Sequence, residues 1–231
     1  MKITWLGHSG FRIEIGGQCL LVDPWLTGNP MFPEDRRAEA VAGVTAVLVS
    51  HGHGDHMGDA AGIAREAGVP VVGKYDLTSY LAARDGVETV GFNTGGTVRL
   101  GDVAVTMVSA THSSSQTGAD GAPVYMGAEA GFMIEHDGRT IYFSGDTDVM
   151  ADMALFEELH RPEIGLLCAG GHFTMDMKRA AWAAKKFFRF KTVIPCHYRT
   201  FPLLEQSAEA MVAALPGVDV IEPEVLAAIE L

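Results

Sequence analysis

The sequence predicts a mixed α/β (α+β) chain that folds as a four-layer αββα sandwich, with two mixed sheets face to face and helices outside. The first observation is an internal echo, because GFRIEIGG at residues 10–17 and GFMIEHDG at 131–138 share five of eight residues. The second is that each string leads into an apolar strand ending near an aspartate, CLLVD and TIYFSGD. Two similar halves favour two packed sheets. A chance likeness between two hairpins is the alternative.

In the first half, strands are predicted over residues 2–7, 11–15, 19–23 and 45–50, and a helix over 57–68. Gly16-Gly17 is a hairpin turn signal between the second and third strands. The run TAVLVS is apolar and β-branched, which is typical of a strand buried on both faces. Gly68 suits the position just after a helix. The order is therefore a β-meander, a buried strand and a helix.

The second half repeats apolar strands that end on histidine, IGLLCAGGH at residues 164–172 and TVIPCH at 192–197. Between them, DMKRAAWAAKKFFRF has helical spacing, with basic residues near its end that suit the helix dipole. We interpret it as an outer helix facing the core and not as a membrane anchor. No linker separates the halves, so a single domain over residues 1–231 is expected.

Composition excludes several classes of function. A chain of 231 residues with 48% hydrophobic residues can bury a sizeable core. A net charge of −12, from 29 acidic and 17 basic residues, disfavours nucleic acid as a partner. The N-terminal apolar stretch is too short for a signal peptide, and no apolar run reaches membrane-spanning length, so no membrane partner and a cytoplasmic location are expected. Three scattered cysteines indicate buried free thiols.

The string SHGHGDHMGD at residues 50–59 concentrates strong metal ligands at the end of the apolar run TAVLVS. His51 and His53 are two residues apart, so in an extended segment both side chains project to the same side and can converge on one ion. Asp55 continues this spacing. His56 must point elsewhere, which makes it a ligand for a second ion beside the first. Imidazole and carboxylate groups suit Zn²⁺, and Mn²⁺ or Fe accept similar ligands.

Further candidate ligands follow other predicted strands. His112 comes after VAVTMVSAT, Asp146 after TIYFSG, and His197 after TVIPC. Three imidazoles and a carboxylate within six residues would be costly to bury together without a cation to accept their lone pairs. By contrast, His136 and His160 are isolated, and we interpret them as ordinary hydrogen-bonded residues.

These residues resemble a known family. HGHGDH matches the HxHxDH signature of the metallo-β-lactamase superfamily, and the later ligands fall in the order of its further motifs. The strings WLGHSGF, DPWLTGNP, THSSS, FTMD and HYRTFP resemble the compact branch of uncharacterised metal-dependent hydrolases, which is similar to L-ascorbate-6-phosphate lactonase. The resemblance implies two Zn²⁺ per chain and catalytic roles for Asp55 and Asp146. It assigns His51, His53 and His112 to the first metal, Asp55, His56 and His197 to the second, and Asp146 to both.

Four more residues are candidates for substrate contact: His8, His172, Tyr198 and Arg199. Tyr198 and Arg199 adjoin the ligand His197, and an arginine there can clamp a carboxylate or phosphate, which favours a small anionic substrate. For Arg199, pairing with solvent or a neighbouring acid is the alternative. His172 follows a strand, and either support of the ligands from behind or contact with substrate is favoured over ligation. Whether His8 faces the site or is structural stays open.

A hydrolase of a small ester, lactone or phosphodiester is the function expected from this ligand set. A mononuclear-iron oxygenase of the persulfide dioxygenase type and a non-catalytic metal-binding module are the alternatives. A structural zinc needs only four protein ligands, so seven disfavour the module. The segment PWLTGNPMF offers Trp25, Leu26, Met31 and Phe32 either as an apolar wall of the site or as a homo-oligomer contact.

Overall fold

The computed structural model describes residues 1–231. Its first half contains β1 (Lys2–Trp5), β2 (Phe11–Ile15), β3 (Gln18–Val22), α1 (Arg37–Val41), β4 (Ala46–Val49), α2 (Gly54–Met57), α3 (Ala60–Ala67), β5 (Val71–Lys74), α4 (Tyr75–Asp85) and β6 (Thr89–Phe92). The second half contains β7 (Thr97–Leu100), β8 (Val103–Ser109), β9 (Ser115–Thr117), β10 (Pro123–Tyr125), β11 (Ala130–His136), β12 (Arg139–Phe143), α5 (Met153–His160), β13 (Ile164–Cys168), α6 (Met177–Phe187), β14 (Thr192–Cys196), α7 (Glu209–Ala214), β15 (Asp219–Val220) and β16 (Ala228–Glu230).

Two seven-stranded sheets share one plan of strand order. The first runs β16-β1-β2-β3-β4-β5-β6. The second, written from the matching edge, runs β7-β8-β11-β12-β13-β14-β15. In each, an antiparallel hairpin leads into parallel strands: β2-β3 continues into β4, β5 and β6, and β11-β12 continues into β13, β14 and β15. These hairpins are the two echoing strings, so the common topology supports the predicted internal repeat.

Both hairpins turn through residues with positive φ. Gly16 and Gly17 have φ of 55° and 73°, and Asp137 and Gly138 have φ of 51° and 72°. Two consecutive left-handed residues match the twist of the flanking strands, which explains the glycines at these turns. The turns lie at the rim opposite the carboxyl ends of β3 and β12.

The main core lies between the sheets, where Phe11 of β2 meets Phe143 of β12 edge to face at 6.2 Å between ring centroids. On the outer face of the second sheet, Tyr142 packs between Phe156 and Phe188 at 5.9 and 5.3 Å. A second apolar cluster fills the space between the first sheet and helices α1, α3 and α4. The four-layer αββα arrangement predicted from the sequence is confirmed.

The elements differ from the prediction mainly around the ligand string. The helix expected over residues 57–68 corresponds to α3 and begins three residues later than predicted, where Asp59 accepts from the backbone N–H groups of Leu26 and Thr27 at 2.7 and 2.9 Å. The short helix α2 precedes it, where an extended segment was expected. Gly68 closes α3 with φ of 66°, as expected. Helix α4 was not predicted. Only Leu77, Thr78 and Leu81 of this helix are buried, and three residues are too few to show an apolar face in the sequence.

The cysteines and the helices were both considered from composition. Cys19, Cys168 and Cys196 are free thiols, and all three are buried. None of the helices combines the length and the apolar character needed to cross a bilayer.

Glu163 supplies a stability prediction away from the metal ligands. Its carboxylate accepts hydrogen bonds from Lys191 Nζ at 2.7 Å and Arg139 Nε at 2.5 Å, and these partners lower the pKa of Glu163. A carboxyl whose pKa is lower in the folded state stabilises the fold above its ordinary pKa and loses that contribution as the pH falls. Glu163→Gln is therefore expected to lower the free energy of unfolding by about 0.5–1 kcal/mol at neutral pH.

The pH dependence is the decisive part of this measurement. In denaturant titrations, the difference between wild type and Glu163→Gln should shrink as the pH falls below about 4. Glu158→Gln removes a charge from an exposed residue without a salt bridge and serves as the control. A difference that stays constant from pH 7 to pH 3 would contradict the ion-pair explanation.

Candidate metal centre

Polar side chains from both sheets meet at one rim of the sandwich. The string that begins at His51 follows β4, Asp146 follows β12, and His197 follows β14. The carboxyl ends of neighbouring parallel strands lie at the same edge of a sheet, which places residues distant in sequence side by side. His112 reaches the same rim from the loop after β8.

The first group of donors is His51, His53 and His112, whose ligand atoms all lie within 4.8 Å of one another. Nε2 of His51 and Nδ1 of His53 are 3.0 Å apart. Burial lowers the pKa of all three imidazoles. Neutral imidazoles facing one point are the form that a cation requires.

The second group consists of His8, Asp55, His56 and His197, again within 4.8 Å of one another. Three of these were predicted as ligands of a second ion. His8 was predicted as a substrate contact or a structural residue, and the structure places it inside the donor group, fully buried, with Nε2 2.9 Å from Oδ2 of Asp55. Burial, reinforced by the charge of His197, lowers the pKa of His8 to about 4.

Asp146 lies between the two groups. Its Oδ2 is 3.6 Å from Nε2 of His112 in the first group, and 3.2 and 3.0 Å from Nε2 of His56 and His197 in the second. Burial alone would raise the pKa of Asp146, but the charges of His197 and His56 outweigh it and hold that pKa well below its usual range. One buried carboxylate is thus shared by nitrogen atoms from both groups.

The donor side chains do not satisfy one another's hydrogen-bonding groups, whereas bound cations would. Nε2 of His56 is buried and makes no hydrogen bond, and Oδ1 of Asp146 has no partner either. Buried polar atoms without partners are costly in a folded protein. Imidazole nitrogens and carboxylate oxygens around a common point are the ligands that zinc and related divalent ions take.

Asp23 is a functional residue that was missed from the sequence. It follows β3, is fully buried, and accepts hydrogen bonds from Nδ1 of His56 at 2.7 Å and from Oγ of Ser50 at 2.5 Å. Because the single hydroxyl proton of Ser50 goes to Asp23, Ser50 must accept from Nδ1 of His51 at 2.9 Å. Asp23 thereby places a proton on Nδ1 of both rings, so that Nε2 is the nitrogen of each ring that faces the other donors.

The echo CLLVD against TIYFSGD was a signal that could have found Asp23. Asp23 follows β3 and Asp146 follows β12, and these strands occupy matching places in the two sheets. The repeat therefore supplies one aspartate that lies between the donor groups and one that orients them from behind.

Several residues at this rim occur in left-handed backbone. His8, Asp23 and His197 have φ of 52°, 46° and 58°. Such conformations are unfavourable for residues with a side chain and persist where the surrounding structure enforces them, often at functional sites. Glycine is required at position 170 of this rim, because a Cβ there would overlap the carbonyl oxygen of His197.

Tyr198 does not contact the site, so that expectation is wrong. Its side chain is fully buried, stacks on Trp5 at 5.6 Å and places its hydroxyl 3.5 Å from Oε2 of Glu222. The guanidinium of Arg199 lies over the Tyr198 ring, 5.8 Å from its centroid. The strand β14 ends before His197, whose φ is 58°, and from this turn the Tyr198 side chain enters the core. Arg199 itself is exposed, so its role as an anion clamp stays a prediction.

Aromatic side chains surround the second donor group. Trp25 and Phe201 are 6.1 Å apart and each lies within 6 Å of the His8 ring, at 5.3 and 5.9 Å. Phe173 is exposed and lies 6.5 Å from His197. His172, also exposed, packs edge to face on Phe173 at 4.5 Å, so its contact with substrate stays a prediction.

The expected apolar wall is only partly correct. Trp25 faces the centre, and the sulfur of Met31 lies 3.4 Å from Oγ1 of Thr200. Leu26 and Phe32 instead belong to the buried cluster under α1 and α3. The serines after His112 support the motif, since Ser114 Oγ accepts from the N–H of Gly52 at 3.1 Å and Ser113 Oγ lies 3.3 Å from Nε2 of His53.

Comparisons with known proteins agree with this geometry. A family model described as Beta-lactamase superfamily domain matches residues 19–198. A UPF0173 metal-dependent hydrolase of Dinoroseobacter shibae is 67% identical over 231 residues, covering 100% of both chains. Another from Paracoccus denitrificans is 64% identical over the same span and coverage.

Among solved structures, Igni18, a metallo hydrolase from Ignicoccus hospitalis, superposes with a TM-score of 0.83 and is 33% identical, covering 100% of this chain and 98% of that chain. Together with the sandwich and the donor groups at its rim, these relatives define the class as a metal-dependent hydrolase. The chain belongs to the metallo-β-lactamase superfamily.

Proposed function

We propose that this hydrolase is binuclear and cleaves a small ester, lactone or phosphodiester with two divalent cations, Zn²⁺ in the first instance and Mn²⁺ or Fe as alternatives. The observation that carries the proposal is the position of Asp146, whose Oδ2 lies 3.0–3.6 Å from nitrogens of both donor groups. The first ion would be held by His51, His53 and His112, the second by Asp55, His56 and His197, and Asp146 would be shared.

The chemistry needs no serine or cysteine nucleophile. When bound, a pair of such cations supplies hydroxide at neutral pH, because coordination lowers the pKa of water to about 7, and polarises a carbonyl or phosphoryl oxygen. The buried negative charge of Asp146 offsets part of the positive charge at the centre. Asp23 keeps the ring nitrogens of His51 and His56 aimed at it.

We assign the proton transfers to Asp55. It is the half-buried carboxylate of the centre, with 33% of its side chain exposed, whereas Asp146 is 2% exposed. In hydrolysis, the hydroxyl group of water adds to the carbonyl carbon or phosphorus, and the remaining proton ends on the leaving oxygen. In this proposal Asp55, as the more exposed carboxylate, would take up that proton and deliver it.

The aromatic rim supports a substrate with an apolar portion. Trp25, Phe201 and Phe173 lie beside the second donor group, where they would exclude water and contact a group attached to the scissile bond. His172 completes this rim as a proposed substrate contact.

Metal analysis and a substrate screen test the proposal. Metal-free protein is reloaded with Zn²⁺, Mn²⁺ or Fe²⁺, the bound ions per chain are counted, and lactones, thioesters and phosphodiesters are assayed. Two ions per chain and hydrolysis that is absent from His53→Ala are expected. Activity that survives in His53→Ala would identify a contaminant, and one bound iron with consumption of O₂ would support the oxygenase instead.

We also propose that residues 1–231 act as one domain. Donors from the first sheet, such as His51, and from the second, such as His197, contribute to one centre, so neither half holds a complete set.

A further inference from the structure

We propose that His8 is a positioning residue, whose Nε2–H donates to Asp55 and holds that carboxylate toward the second cation. The inference rests on the proposed binuclear site and deepens it. It gives a role to the loop between β1 and β2, which lies outside the HGHGDH string.

Each ring nitrogen of His8 has one hydrogen-bond partner of its own. Nε2 lies 2.9 Å from Oδ2 of Asp55, and Nδ1 lies 2.8 Å from Oγ1 of Thr200. An ionised carboxylate can only accept, so the proton belongs on Nε2, and Nδ1 then accepts from the hydroxyl of Thr200. The carboxylate of Asp55 thus selects this tautomer of His8, and the Thr200 hydroxyl, which also lies 3.3 Å from the carbonyl oxygen of Tyr198, supports it by donating to Nδ1.

Asp55 depends on this hydrogen bond for its orientation. Nε2 of His56 and Nε2 of His197 lie 3.9 and 3.8 Å from the same oxygen, beyond hydrogen-bond length. Direct ligation by His8 is the competing role, because its Nε2 belongs to the same donor group. A nitrogen that already donates to a carboxylate has no lone pair for a cation, so the geometry favours positioning.

The backbone of His8 is held as firmly as its ring. Its carbonyl oxygen accepts from Nε1 of Trp5 at 2.8 Å and from the N–H of His197 at 2.9 Å. Its φ of 52° is enforced by this packing. The backbone that carries the His8 imidazole is therefore fixed, and one of its hydrogen bonds joins it to the proposed ligand His197.

Four variants separate the two roles. His8→Ala removes the donor. His8→Gln keeps an N–H near the position of Nε2, Thr200→Val removes the hydroxyl beside Nδ1, and Thr200→Ser keeps a hydroxyl there. His160→Gln, at the end of α5, is the matched control. Calorimetric titration of metal-free protein with Zn²⁺, repeated with Co²⁺ for its absorption spectrum, resolves the two binding steps without an activity assay.

We expect His8→Ala to weaken the second binding step by roughly 10–100-fold and to leave the first unchanged. His8→Gln and Thr200→Ser should recover most of the loss, whereas Thr200→Val should show part of it. Unchanged affinity in His8→Ala would overturn the proposal. So would a His8→Gln variant as weak as His8→Ala whose Co²⁺ spectrum shows one nitrogen ligand fewer, because that result assigns direct ligation.

A second readout uses the wild-type protein alone. The ¹⁵N resonances of the His8 ring in the metal-free protein report which nitrogen carries the proton, and we expect Nε2–H. A proton on Nδ1 would overturn the proposal even if His8→Ala fails to fold. Failure of wild type to bind two ions would overturn the binuclear proposal, and the tautomer would still decide whether His8 donates to Asp55.

Discussion

Substitution of Asp146 by asparagine is expected to lower kcat/KM by about 10²–10⁴-fold and to weaken the binding of both cations. Asparagine keeps the shape and one carbonyl oxygen but loses the negative charge shared by the two donor groups. Removal of one partner from a buried charged pair costs about 3–5 kcal/mol. At 1.36 kcal/mol for each factor of ten, this cost corresponds to the expected range.

Asp148→Asn is the matched control for this variant. Asp148 lies two residues further on, is about half exposed and pairs with Arg179 at 2.7 Å. Loss of an exposed pair costs at most about 1 kcal/mol, so stability and metal content should change little. Binding constants are measured by titration of metal-free protein, and kcat/KM on the substrate found by the screen. If Asp146→Asn bound two ions with wild-type affinity, the shared role of Asp146 would be wrong.

Substitution of Asp23 by asparagine is the second large effect, although Asp23 would touch neither cation. The amide N–H₂ of asparagine would face Nδ1 of His56, where Oδ2 of Asp23 now accepts at 2.7 Å. His56 would then accept at Nδ1 and carry its proton on Nε2, the atom that faces the second site. The affinity for the second ion should fall by roughly 10–100-fold, with a comparable loss of kcat.

Asp59→Asn separates this effect from a general loss of stability. Asp59 accepts hydrogen bonds from the N–H groups of Leu26 and Thr27 and from the hydroxyl of Thr27, but it contacts none of the donors. We expect Asp59→Asn to lower the melting temperature without a change in metal affinity. If Asp23→Asn behaved in the same way, Asp23 would be a purely structural residue. The tautomer of His56, read from ¹⁵N shifts, is the direct measurement.

The ligand string was predictable because its chemistry is local. His51, His53, Asp55 and His56 lie within six residues, and alternation along an extended segment places two of them on one side. The hairpins were predictable for the same reason, since paired glycines and alternating apolar residues mark them within a few positions. The echo between the halves also predicted the common plan of the two sheets.

Tyr198 shows how adjacency in sequence misled. It neighbours His197 and was expected at the substrate, yet the chain turns through left-handed backbone at His197, and the Tyr198 ring packs on Trp5 in the core. Asp23 was missed for the opposite reason. It stands 27 residues from Ser50 and 33 from His56, and no local pattern links it to them.

By itself the sequence determined the kinds of ligand, the strand ends that carry them and the repeat that doubles the sheet, because these depend on spacing within one element or its neighbour. The tertiary structure decided that Asp146 lies between the two donor groups and that Asp23 orients their rings. It also decided that His8 lies in the second donor group, whereas Tyr198 lies in the core. These choices depend on how two sheets meet at one rim, where the contacts join residues such as His8 and Thr200 that are 192 positions apart.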